Sequence, residues 1–196
     1  MSDRHTQILQ AAARLIARHG VRGLRVEEVS AEAGVSTALI YYHFKGRGGL
    51  LRHTLEHINR RAILYTDVAL DTSADARTQL TDMLLLELQD DPHVRENSAA
   101  WGELRATAVF DPDLREQLAA ATSRWVDDLA HLIRRAQAAG LAAPEADPEA
   151  TAERLTALVE GLSERWLSGT TSLRRAHQLL RDAITLELRQ PPHSHK

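Results

Sequence analysis

Apolar residues recur at three- and four-residue spacing along nearly the whole chain, and few stretches alternate as a half-buried strand would. The first run puts Ile8, Ala12, Leu15 and His19 on one helical face, opened by Ser2 or Asp3 and closed at Gly20. Val26, Val29 and Ala33 mark a short second helix, Gly34 a turn, and Thr37 to Phe44 a third helix with Ser36 in the N-cap position. Within that third helix Ile40 and Phe44 face inward with Val35. Thr37 with Tyr41, and Ala38 with Tyr42, form pairs four apart on the outer side. A fourth helix is expected from Leu50 to about Leu70, carrying Leu51, Leu55, Ile58, Ala62 and Tyr65 on one face.

Ser73 is expected to open a fifth helix containing Leu80, Met83, Leu84 and Glu87. Three later helices begin with one device, Asp91-Pro92, Asp111-Pro112 and Asp147-Pro148. Asp accepts first-turn amide protons, and Pro lacks only a donor that would be unpaired anyway. Gly140 and Gly169 read as stops, and Leu141 to Glu145 with Pro144 as a loop. The pattern therefore predicts an all-α fold of about nine helices. Residues 1–49 form a helix-turn-helix three-helix domain, 50–190 a helical body, and 191–196 a disordered tail.

Composition narrows the chemistry. At 196 residues and 43% apolar content the chain suits one moderate domain or two small ones. Without cysteine there is no disulfide, thiol nucleophile or thiolate metal site. No signal-peptide pattern and no run of about 18 apolar residues is present, so a soluble cytoplasmic protein with no membrane partner is expected. The net charge of -3 hides an asymmetry: residues 1–55 hold eight Lys or Arg against four Asp or Glu, whereas the remainder is acidic. A basic amino-terminal unit suits phosphate, and an acidic body stays off it. A short helix presenting a hydroxyl, a methyl and two phenols beside Lys45 and Arg47 suits a DNA major groove.

The segment Ala33 to Phe44 also resembles the DNA-binding domain of TetR-family transcriptional regulators, whose pattern runs roughly A-G-V-S-x-x-x-[LI]-Y-x-[HY]-F. The resemblance implies DNA contacts from Arg25, Ser36, Thr37, Ala38, Tyr41, Tyr42, His43, Lys45 and Arg47. Four positions depart from the residues usual in that family. Arg25 stands where a capping Thr or Ser is usual, Leu39 where Thr is common, and Gly48-Gly49 where acidic helix formers are common, which predicts a loose start to the fourth helix.

The segment from Ala100 through Gly169 is similar to the BetI-like branch of the same family. It carries Trp101, Asp111-Pro112-Asp113-Leu114-Arg115, Arg124-Trp125, Asp147-Pro148-Glu149-Ala150 and Glu160-Gly161-Leu162. That likeness implies a small-molecule effector site, for which Trp101, Leu104, Arg105, Ala108, Trp125, Leu129, Glu160 and Trp166 are the candidates. Members of the branch are associated with choline, and Trp101, Trp125 and Trp166 with Glu103 or Glu160 would suit a quaternary amine. The same tryptophans would equally fill a helical core. The likeness further implies a homodimer through the last two long helices, with Leu155, Leu158, Val159, Leu162, Leu180, Ile184 and Leu188 as interface residues or, alternatively, as internal core.

The expected function is a ligand-responsive transcriptional repressor binding a near-palindromic double-stranded DNA operator as a homodimer, with an activator of the same fold as the alternative. A helical enzyme lacks a convincing nucleophile-base or carboxylate pair, and a non-specific DNA-binding protein would show little discrimination. His53 and His57 lie four apart without an evident third ligand, and His193 and His195 lie in the tail, so no metal and no cofactor are expected.

Overall fold

The structure is a computed structural model that describes residues 3–67 and 75–189. It is all-α, and no strand occurs among the described residues. Nine helices are described: α1 (Asp3–Gly23), α2 (Val26–Ala33), α3 (Thr37–Phe44), α4 (Arg47–Thr66), α5 (Ala76–Leu86), α6 (Pro92–Ala108), α7 (Pro112–Ala138), α8 (Pro148–Leu167) and α9 (Leu173–Glu187).

The caps lie where side-chain chemistry puts them. Ser36 accepts from the Leu39 amide at 3.2 Å. Asp91 accepts from His93 and Val94, Asp111 from Asp113, and Asp147 from Glu149 and Ala150. Each satisfies first-turn donors that the helix itself leaves open. The α5 cap is Asp75, which accepts from the Thr78 amide at 2.9 Å; Ser73, the expected opener, lies outside the described residues, as do Val68 to Leu70 and the 191–196 tail. Gly34 ends α2 in the left-handed region (φ 64), and the Val35 amide then reaches back to the Ser30 carbonyl. α1 breaks at Gly20 (φ 72), where its periodicity stops.

Two compact units result. The first comprises residues 1–63 and 91–121 and holds α1 to α3, most of α4, α6 and the opening of α7. Its core gathers Ile8, Ala12 and Ile16 of α1, Val29 of α2, Ile40 and Phe44 of α3, Leu51, Leu55 and Ile58 of α4, and Ala100, Leu104 and Ala108 of α6. The run Ala11-Ala12-Ala13 is fully buried, and its small side chains let neighbouring helices approach α1 closely. This division differs from the boundary at residues 49/50 drawn from the sequence. The apolar face of α6 completes the core that the short helices α2 and α3 cannot close alone.

The second unit comprises residues 64–90 and 122–196, with α5, the rest of α7, α8 and α9 around a core that includes Leu80, Leu84, Leu129, Ile133, Leu155, Val159, Leu180 and Ile184. Polar staples close its loops. Arg77 donates to the carbonyls of Leu141 and Leu188, and Gln137 to those of Ala143 and Ala146. Arg154 forms a two-pronged pair with Glu187 between α8 and α9.

Gly48 and Gly49 prove unlike each other. A methyl group at Gly49 would fall well inside van der Waals distance of the Phe44 carbonyl oxygen, whereas one at Gly48 would meet only the tip of Arg52. Gly49 therefore permits the tight α3–α4 turn rather than merely loosening α4. Gly49→Ala is expected to destabilise by about 1 to 3 kcal/mol, and Gly48→Ala to be neutral or stabilising by up to ~1 kcal/mol. Thermal denaturation of the two variants checks this; equal midpoints would contradict it.

Candidate nucleic-acid interface

α3 is divided as its sequence requires. Ile40 and Phe44 are buried against α1 and α4, while Tyr41 is 50% and Tyr42 71% exposed. Ala38, Lys45 and Ser36 are also exposed, and Thr37 and His43 are half-buried at the flank. Lys45 ends the helix in the left-handed region (φ 59), and its Nζ lies 5.4 Å from the centre of the Tyr42 ring. That contact holds a cation and a phenol side by side on the outer edge. The face has the hydroxyl, methyl and aromatic groups that major-groove base edges accept.

Arg25 occupies the α2 N-cap and makes no side-chain cap, as an acceptor-free guanidinium must, so the first-turn amides are left for an anion. Arg47 differs from expectation. Its Nη2 donates to the Val21 carbonyl at 2.5 Å and its Nε to the Leu24 carbonyl at 3.3 Å, so much of the guanidinium is committed within the protein. Sequence reasoning missed this because the partners lie more than twenty residues away.

Beneath α3, imidazoles cluster round Phe44. The His5 ring is 4.8 Å from Phe44, 5.7 Å from His43 and 5.9 Å from His53, and His53 is 5.4 Å from Phe44. His57, one turn on, is buried, and its Nε2 has no hydrogen-bond partner among the described residues. His53 is half exposed and His57 buried, so this pair, one turn apart on α4, lies at the edge of the core. Burial, then the nearby cations Arg61 and Arg60, push His57 down to about 4; burial, then His53 and His43, lower His5 as well. A folded state that prefers neutral imidazole keeps its full stability above about pH 6.5 and loses it as the pH falls toward 4. The thermal midpoint is therefore expected to drop between pH 7 and pH 5, and His57→Gln to flatten that slope. An unchanged slope would contradict the assignment.

The residues expected to meet an effector fall in both units. In the first, Leu104 and Ala108 are buried in the core, and Arg105 lies over the Trp101 ring at 5.9 Å, so a cation already faces that indole. Glu103, considered for a cation cage, instead accepts from the Val21 amide at 3.0 Å. In the second unit Leu129 and Trp166 are buried, and Trp125 packs partly buried against the same core. Its Nε1 is buried without a hydrogen-bond partner among the described residues.

The sequence reading placed Glu87 in the fifth helix without a functional role; it is the C-cap of α5, and its carboxylate accepts from the Tyr65 hydroxyl at 2.9 Å. Burial, opposed by the Tyr65 bond and aided by nearby Glu160, raises the carboxyl to about 7. Among the residues expected at the dimer interface, Leu155, Val159, Leu162, Leu180, Ile184 and Leu188 are buried within the single chain. They are core residues, because a side chain already sealed from water gains no further burial from a partner. Only Leu158 is partly open.

A helix-turn-helix whose second helix offers a polar and aromatic outer face is the reading head of a DNA-binding regulator. Residues 8–54 match the profile of bacterial regulatory proteins of the tetR family, and residues 76–189 that of the BetI-type transcriptional repressor C-terminal region. The HTH-type transcriptional regulator BetI of Agrobacterium fabrum is 27% identical over 191 residues, covering 96% of this chain and 90% of that protein. The crystal structure of a protein from Rhodococcus sp., described as a TetR-family transcriptional regulator, is 48% identical with a TM-score of 0.89, over 96% of this chain and all of that one. Another, of a transcriptional regulator from Saccharomonospora viridis in complex with choline, is 31% identical with a TM-score of 0.82, over 92% and 94% of the two chains. The chain belongs to the tetR family, with a BetI-type carboxyl-terminal region: it is a transcriptional repressor and not an enzyme.

Proposed function

We propose that the protein binds a near-palindromic operator as a homodimer in the cytoplasm, and leaves it when a small organic cation of the choline type binds the helical body. Residues 1–49 read the DNA, and residues 50–190 provide effector binding and dimerisation. The observation that carries the reading is the divided α3, buried through Ile40 and Phe44 and open through Tyr41 and Tyr42. Base contacts come from Thr37, Ala38, Tyr41, Tyr42 and His43. Phosphate contacts come from Arg25, Ser36 and Lys45, with any donors that Arg47 retains. No helix among the described residues is long and apolar enough to cross a membrane.

The homodimer uses the outer flanks of α8 and α9 rather than their buried faces. Ala157, Leu158 and Gly161 lie along one flank of α8, and Leu179, Ala183 and Leu186 recur at helical spacing on α9. Leu186 is 68% exposed, and a methyl group at Gly161 would meet nothing within 4 Å, so this surface has room for a second copy. A two-fold dimer places its readers on half-sites about one helical turn, or a multiple, apart.

For the effector, the choline held by the Saccharomonospora viridis relative is supported by the chemistry of Glu87. A desolvated carboxyl at the carbonyl end of α5, with Glu160 nearby, favours a positive charge more than water-exposed carboxylates do. Trp125 and Trp166 supply aromatic surface in the same unit. Release requires only that the cation prefer the conformation that does not fit the operator. Choline titrated into the protein–operator complex is expected to dissociate it, and Glu87→Gln to keep operator affinity while losing that response. A complex indifferent to choline and to other small quaternary amines would overturn the effector reading and leave the DNA reading standing.

A further inference from the structure

The turn from Gly20 to Leu24, which leads directly into α2, is held from two sides by charged groups of two other helices. Glu103 of α6 accepts from the Val21 amide at 3.0 Å, and Arg47 at the start of α4 donates to the Val21 and Leu24 carbonyls. The segment between is Gly20-Val21-Arg22-Gly23, with only Val21 anchored in the core. Glycines at both ends give this turn more conformational freedom than any other residue would. A methyl group at Gly20, already at φ 72, would lie 2.7 Å from Glu103 Oε2, so the carboxylate sits against the bare glycine. α6 itself is fixed in the unit's core by Ala100, Leu104 and Ala108.

We infer that Glu103 is a positioning residue for operator recognition: by holding the Val21 amide it fixes the angle at which α2 and α3 leave α1. Base contacts tolerate little displacement, because hydrogen bonds at base edges fail within a fraction of an ångström. Phosphate contacts along a uniformly charged backbone tolerate far more. Slack in the turn therefore lowers specific affinity while leaving non-specific affinity in place. A merely structural role would lower both together.

The test uses the full-length protein and measures affinity for its footprinted operator and for a mixed-sequence duplex of equal length at one salt concentration, with hydrogen exchange at the Val21 amide. Glu103→Ala is expected to lose about tenfold or more in operator affinity and to stay within about twofold on the mixed duplex, with faster Val21 exchange. Glu103→Gln keeps an oxygen acceptor and is expected to bind as the parent does. Glu103→Asp keeps the charge but withdraws the carboxylate by one methylene, and is expected to show the same change in ratio in smaller measure. An unchanged ratio of specific to non-specific affinity in the Ala and Asp variants, or failure of Gln to rescue, would overturn the inference.

Discussion

Leu186→Glu is expected to leave the protein folded, convert the dimer to a monomer, and reduce operator affinity toward the level of non-specific binding, a loss of about a thousandfold. The reasoning rests on geometry within one chain. Leu186 is the large apolar residue most exposed on α9, and Leu179 and Ala183 precede it on the same flank. An exposed leucine contributes little to the fold, so a carboxylate there acts mainly by burying an unpaired charge when a second copy approaches. Leu180→Glu is the contrast: that side chain is fully buried, and its replacement is expected to unfold the second unit rather than separate two folded copies. Light scattering after size exclusion, with circular dichroism, distinguishes the two. A Leu186→Glu protein that remains dimeric at micromolar concentration would remove α9 from the interface.

Tyr42→Ala is the second large effect. The ring is 71% exposed and braced by Lys45, so its removal opens no cavity and thermal stability should hardly change. Its loss is expected to cost about 1 to 3 kcal/mol of preference for the operator over mixed DNA. Lys45→Ala, by contrast, is expected to weaken all sequences alike and to lower the salt slope by about one. Parallel loss on both kinds of DNA for Tyr42→Ala would move that residue from base contact to backbone contact.

How far these features were legible follows from the range over which each acts. Ser36, Asp91, Asp111 and Asp147 cap helices through hydrogen bonds spanning two or three residues, and a local pattern reveals them. The inward and outward sides of α3 are likewise set by a four-residue repeat. Glu103 on Val21 spans 82 residues, and nothing near either position announces it. Arg47 resembled a phosphate ligand because its local context is a helix start, yet its partners are the carbonyls of Val21 and Leu24, beyond the break in α1 at Gly20. The faces of α8 and α9 were ambiguous because each helix carries apolar residues on two sides. Periodicity finds both sides, and only packing tells which one the chain keeps for itself. Gly49 was misread for the opposite reason, since helix propensity describes an isolated helix and not the carbonyl of Phe44 pressed against it.

Footprinting of the purified protein on genomic DNA tests most directly whether the outer side of α3 reads sequence. Protection confined to a near-palindrome, its two halves about one helical turn or a multiple apart and lost selectively on Tyr42→Ala, is the predicted result. Diffuse protection that follows charge density alone and fades steeply with salt would contradict it.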